Sequence, residues 1–161
     1  MRAGEWPDLL GPTAADFDRT DGILRREWHM NEDFSLSPRW LESAPFFPKI
    51  FWRSRSGGLP ILAFGQVASG SVSELSDLLA NSDSGIRLFG GSRFAQSSKA
   101  HQWPFPSDFY FIPKAEVTRA GSSTKLAIHF TRDDMETSDV AAWIAGLDRM
   151  AKPRKPGVLT R

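Results

Sequence analysis

The sequence predicts an antiparallel α+β fold, and three observations carry that reading. Apolar runs come in adjacent pairs. Glycine-bearing turns separate the members of each pair. Helical patterns follow the pairs instead of alternating with single strands, so the βαβ rhythm of a parallel sheet is missing. Lys49–Arg55 and Leu59–Val67 flank Ser56-Gly57-Gly58, and Glu116–Arg119 and Lys125–Phe130 flank Ala120-Gly121-Ser122-Ser123. Glycine supplies the positive φ that tight hairpin turns need, so both stretches read as β-hairpins, the second with a four-residue connection.

In chain order, residues 1–33 are broken repeatedly by Gly, Pro, Asp and Thr, and within them Ile23–Trp28 fits either a strand or a helical turn. Ser37 followed by Pro38 fits an N-cap with proline at the first helical position. Trp40 and Leu41 give that short helix its apolar side, and it ends ahead of Pro45 because the residue before a proline avoids the helical region. After the first hairpin, Ser71 and Glu74 form a capping-box pattern. Val72, Leu75, Leu78 and Leu79 recur at helical spacing behind it. Asn81 and the following Ser-Asp-Ser-Gly stretch stop the helix. Ile86–Phe89 reads as a strand running into Gly90-Gly91, residues 95–108 as a polar, proline-rich loop, and Phe109–Ile112 as a strand. Ser138 caps a last helix whose apolar stripe is Val140, Trp143, Ile144 and Leu147. Residues 151–161 are basic, carry two prolines and read as a linker. No internal repeat or low-complexity tract is present.

The chain has 161 residues, enough for one domain with a core that needs no covalent staples. Twenty basic and nineteen acidic residues leave a formal charge of +1. That balance gives no electrostatic reason to expect nucleic acid or an anionic membrane as partner. There is no cysteine, which excludes disulfides, thiolate metal sites and cysteine nucleophiles. Met1–Pro7 has no apolar signal-peptide core, and the most apolar stretch, Leu59–Gly65, is too short to span a bilayer. The expectation is a soluble, cytoplasmic protein.

Templates for catalysis fail in turn. His29, His101 and His129 have no partners at metal-ligand spacing, and no H-E-x-x-H occurs. His129 falls inside a strand pattern and reads as a structural or surface histidine. No serine sits in a G-x-S-x-G elbow. Phe89-Gly90-Gly91-Ser92-Arg93 lacks the G-K-[ST] ending of a phosphate loop, so both glycines are read as serving the backbone, by tight turning or close approach. Asp133, Asp134 and Glu136 stand ahead of a helix pattern, where the helix dipole favours carboxylates without any metal. Trp103-Pro104-Phe105-Pro106 is an aromatic stretch that flanking strands can bury.

Several stretches, taken in order, resemble the N-terminal region of isochorismate synthases of the menaquinone and siderophore type. Pro45–Gly57 is similar to the family's opening hairpin strand, with its aromatic pair before an arginine-and-glycine turn. Ala63-Phe64-Gly65 resembles the return strand, and Leu88–Phe94 resembles an "FGGxRF" element. Trp103–Pro106 with Phe109–Lys114 resembles "W-x-x-F…F-F-x-P-x", and Glu116–Arg119 and Lys125–Phe130 continue it. The resemblance covers residues 37–150; residues 1–36 stay unassigned, and residues 151–161 would lead towards a C-terminal chorismate-binding half.

The resemblance implies a region of the chorismate-utilising-enzyme α/β sandwich. Family members convert chorismate to isochorismate with magnesium, using a lysine base, a glutamate acid and metal-holding glutamates, all from the C-terminal half. The sequence reaches Arg161 about where that half would begin, so no catalytic, cofactor-binding or metal-binding residue is assigned, and Lys99, Lys114 and Lys125 are not promoted to the base. The expectation is a non-catalytic N-terminal part of such an enzyme, with no cofactor of its own, magnesium belonging to the whole enzyme, and a matching C-terminal half as its partner. The alternative is a free-standing binding or interaction domain on the same scaffold.

Overall fold

A computed structural model of the chain describes residues 12–30, 38, 41, 42, 44, 46–55, 57–92 and 107–135. Within them, six strands form one antiparallel sheet: β1 (Leu24–Met30), β2 (Lys49–Trp52), β3 (Ile61–Gly70), β4 (Phe89–Ser92), β5 (Asp108–Ala120) and β6 (Ser123–Phe130). The order across the sheet is β1-β6-β5-β3-β2, and β4 pairs with β5 beyond the end of β6. The helix α1 (Val72–Ala80) follows β3, and 3₁₀ turns cover Ala14–Arg19 and Arg132–Met135. The antiparallel α+β expectation therefore holds as one six-stranded sheet with a helix. No helix among the described residues is long and apolar enough to cross a membrane.

Strand alternation gives the sheet two different faces. One is the main core. Leu24, Leu62, Phe64, Ala115, Val117, Leu126, Ile128 and Phe130 pack there with Phe17, Leu41 and Ala44. The other face divides. At one end Ile23, Leu75 and Ile112 are buried against Val67, Leu78, Leu79, Ile86, Leu88 and Tyr110, which seats α1 on the sheet. At the other end that face carries charged side chains.

The helix forms as its sequence dictates. Ser71 Oγ accepts from Glu74 N, and the Glu74 carboxylate accepts from Ser71 N at 2.9 Å, so the capping box is complete. The apolar stripe is shorter than the spacing suggests. Leu75 is buried, but Val72, at the first turn, is 45% exposed and lies off the contact.

Three other expectations are corrected. The first hairpin turns through residues 53–60, not through the glycines alone. Pairing resumes only at Ile61, opposite Trp52, because Pro60 has no N–H to contribute. The second hairpin is tighter than expected, since Ala120 pairs with Ser123 and leaves Gly121-Ser122 as the connection. Gly121 has φ +60°, the requirement at the first central position of a type II′ turn. The strands read at 109–112 and 116–119 merge into β5, and Pro113 lies inside it. It is tolerated because the ladder is interrupted there. Pairing with β4 ends at Phe111, pairing with β6 begins at Ala115, and β3 slips register between Gln66 and Ala68 opposite it.

The stretch read as ambiguous, Ile23–Trp28, is largely strand β1, paired with β6 from Leu24↔Phe130 to Met30↔Thr124. The sheet thus draws an edge strand from the first 36 residues. Of the helix expected at Ser37, only Pro38, Leu41, Glu42 and Ala44 are described. Leu41 N donates to Pro38 O and Ala44 N to Leu41 O, as in a helical turn. The helix at 138–150, the aromatic stretch 103–106 and the basic segment 151–161 lie outside the described residues.

The glycine pair sits within β4, not after a strand, and its two members differ. Gly90 has φ +154°, and a Cβ there would lie 2.1 Å from Phe109 O and 2.7 Å from Tyr110 Cα. It is required by backbone approach. Gly91 has open space around its Cβ position, which corrects the expectation that both are needed. Gly90→Ala should therefore lower stability by more than about 1 kcal/mol, while Gly91→Ala should stay within about 0.5 kcal/mol of the parent. Urea denaturation midpoints of the two variants check this, and equal losses would contradict it.

Candidate functional site

The charged half of the second face is built by register. Arg25 on β1 lies opposite His129 on β6, and Glu27 opposite Ala127, which in turn faces Glu116 on β5. Glu116, between Ala115 and Val117 on an inner strand, is fully buried. Its Oε2 is ion-paired with Arg87, and Arg25 Nη1 lies 3.8 Å from the same oxygen. Its Oε1 has no hydrogen-bond partner among the described residues. Burial pushes the Glu116 carboxyl above the usual carboxylate range, and Arg87 and Arg25 pull against that.

His129 is held between two partners that fix its tautomer. Nδ1 lies 2.7 Å from Pro113 O, and Nε2 lies 2.8 Å from Arg25 Nη1. A carbonyl oxygen can only accept and a guanidinium can only donate. Nδ1 therefore carries the proton and Nε2 accepts. A second proton on Nε2 would face the guanidinium N–H, and the ring is fully buried. Desolvation is the main reason that its pKa falls from 6.5 to about 4, with the Arg25 charge adding to it.

Arg25 completes the network. Its Nε and Nη2 donate to Glu27 Oε1 at 3.1 and 2.7 Å, and Lys125 Nζ reaches Glu27 Oε2 at 3.2 Å. The backbone N of Arg25 donates to Asp83 Oδ2 at 2.8 Å. An open concavity of about 430 Å³ lies against this edge, lined by Arg25, Glu27, Asp83, Ser84 and Gly85. The charges largely cancel: each carboxylate is met by a cation or an N–H group. Among the described residues no three His, Asp or Glu side chains are grouped to hold a metal ion. Magnesium does not fit this cluster, because Glu116 and Glu27 are already engaged by cationic side chains.

The residues singled out in the sequence are dispersed. His129 is a buried structural histidine, and His29 is exposed two rows further along β1 than Glu27; the two are not brought together. Lys114 is buried, 2.6 Å from Asp134 and over the Phe130 ring. Lys125 belongs to the Glu27 pair. Asp134 accepts from Thr131 N at 2.6 Å, so it caps the 3₁₀ turn at Arg132–Met135 as well as pairing Lys114. His101, Lys99 and Glu136 lie outside the described residues. Sequence reasoning missed Arg25, Glu27, Arg87 and Glu116. A glutamate between two small apolar residues of an inner strand was the available signal; its arginine partners are distant in sequence and carried none.

No family model matches this chain, and no curated protein matches it. In structure it is similar to MenF, the menaquinone-specific isochorismate synthase from Escherichia coli, with a TM-score of 0.58 and 19% sequence identity. The match covers 85% of this chain and 31% of that one, so this chain spans about a third of that protein's length. The fold of this chain is thus similar to that of a region of MenF.

The locked histidine gives stability a pH dependence. Unfolded, His129 takes up a proton near pH 6.5; folded, it does so only near 4. Between those values the unfolded chain binds more protons, so this contribution is present above pH 6.5 and is lost as pH falls towards 4, by up to about 3 kcal/mol. Glu116 acts in the opposite sense, since its raised pKa favours the folded state in acid. Comparison with His129→Gln isolates the histidine term. Denaturation at pH 7 and pH 4.5 should show a larger acid loss for the parent than for the variant. Equal losses would show that His129 is not held neutral.

Proposed function

We propose that this chain is the N-terminal, non-catalytic scaffold region of an isochorismate synthase, whose complete form isomerises chorismate to isochorismate with magnesium. The carrying observation is the fold likeness to MenF, which takes in most of this chain but only 31% of that enzyme. A second feature agrees with it. The charge cluster on the sheet is neutralised internally and offers no paired acid and base open to a substrate.

On this reading the sheet is one part of the α/β sandwich. Residues 37–150, together with the edge strand Leu24–Met30 that joins their sheet, are scaffold, and a C-terminal chorismate-binding half supplies the lysine, the glutamates and the magnesium. The complete enzyme works in the cytoplasm, and its product enters menaquinone or siderophore synthesis. Exposed aromatic side chains on and beside β2, Phe51 and Trp52 among them, suit a sheet that expects more protein around it.

The test is incubation of the purified chain with chorismate and magnesium, followed by chromatography for isochorismate. No product above the uncatalysed background is expected. Magnesium-dependent turnover would overturn the reading and place a site within these residues. Reading the DNA downstream separates the alternative: a chorismate-binding frame supports the scaffold, and a clean stop with no such frame nearby supports a free-standing binding domain.

A further inference from the structure

The two ends of the sheet are finished differently. At β1 the start of the outer edge, at Ile23 and Arg25, is met by neighbouring groups, which leaves Glu27–Met30 without a paired strand among the described residues. Ser82 Oγ accepts from Ile23 N at 2.7 Å, Asp83 Oδ2 accepts from Arg25 N at 2.8 Å, and Asp83 N donates to Ile23 O at 2.9 Å. Those groups cannot recruit another strand. At β2 the outer edge has no paired strand among the described residues. A row of unpaired N–H and C=O groups is a template for strand addition.

What surrounds that edge is both apolar and basic. Phe47 is 74% exposed, Trp52 56%, Leu59 48% and Phe51 40%. All four lie on β2 or in the segments beside it. From Phe46 to Pro60 the sequence contains Lys49, Arg53 and Arg55 and no acidic residue. Arg53 and Arg55 are exposed and have no ion pair among the described residues. Lys49 Nζ sits 4.4 Å from the centre of the Phe47 ring, which leaves its charge at the surface.

We infer that the β2 edge binds an extended, acidic segment of a partner protein, which adds to the sheet as a further strand. Backbone pairing supplies the register, and side chains alternate to either face. Phe51 lies opposite Leu62 and Trp52 opposite Ile61, so each face of β2 offers the incoming strand one aromatic ring. The cations at 49, 53 and 55 complement carboxylates on that strand. They also select against the simplest competitor, a second copy of this chain, because pairing β2 with β2 would line up two cationic runs. The short length of β2 and its lysine are devices that discourage self-association. Here they narrow the partner to one of opposite charge. This inference stands on the edge itself and does not depend on the function proposed above.

The experiment uses the full chain and a synthetic end-capped heptapeptide of alternating valine and glutamate, with a valine–lysine heptapeptide as control. Amide hydrogen exchange is read over residues 49–52. The glutamate peptide should slow exchange of the outward-facing β2 amides at least tenfold, less so at high salt, and the lysine peptide should not. Arg53→Glu lies at an exposed position and should leave the melting temperature unchanged while weakening the protection given by the glutamate peptide, because it takes the patch from three cations to two cations and a carboxylate. No protection by the glutamate peptide, or equal protection by both, would overturn the inference. So would binding to phosphatidylserine vesicles or single-stranded DNA without peptide protection at β2, since a basic aromatic patch can hold those without pairing the backbone.

Discussion

Glu116 lies fully buried on an inner strand, with Arg87 on its Oε2 and Arg25 3.8 Å from the same oxygen. Leaving a carboxylate unpaired in such a place costs several kcal/mol, and removing one partner of a buried pair costs about 3–5 kcal/mol. Both arginines are therefore constrained by the glutamate. Arg25 brings the edge strand β1 into line, because its side chain must reach across β6. Arg87 ties the segment after α1 to the sheet, between Ile86 and Leu88, which pack in the apolar cluster beneath that helix. One buried charge thereby connects elements that share no backbone ladder.

The same arginine links this pairing to a fault in the sheet. Pro113 interrupts β5, and neither β4 nor β6 pairs with it there. Its carbonyl still needs a donor, since buried backbone oxygens are rarely left unpaired. His129 supplies one from Nδ1, and Arg25 then occupies Nε2. A neutral, oriented imidazole thus substitutes for a missing rung. This explains how a sheet tolerates proline in a strand with neighbours on both sides, and why a buried histidine there is structural and not a proton carrier.

The sequence disclosed most of what depends on local rules. Both hairpins, the capping box from Ser71 to Glu74 and the antiparallel class follow from turn chemistry and periodicity. What it concealed depends on pairing between distant segments. Ile23–Trp28 is ambiguous alone because two apolar residues followed by three charged ones show no strand alternation, and its two faces become distinct only once β6 lies beside it. Pro113 splits a strand on paper, and only the register shift in β3 shows that it need not. Gly90 and Gly91 look equivalent as letters, yet the close approach of Phe109 O touches one and not the other. The charge cluster was hidden for the same reason: Arg25, Arg87, Glu116 and His129 lie as much as a hundred residues apart.

The cluster and the open edge point to different kinds of role for the two ends of the sheet. Around Glu116 most polar groups other than its own Oε1 are answered from within the chain, and segment 81–83 closes the start of the β1 edge, at Ile23 and Arg25, with side-chain and backbone bonds. An end so largely satisfied is organised for stability, and an added ligand there would have to break bonds already made. At β2 the reverse holds. Among the described residues, the outer backbone groups of β2 have no paired strand, the rings of Phe51 and Trp52 are exposed, and the guanidinium groups of Arg53 and Arg55 just beyond the strand have no ion pair. Solvent can satisfy the polar groups of such an edge but not the exposed rings. The free energy still to be gained by this sheet therefore lies at β2, whether a larger enzyme or a separate partner supplies the cover.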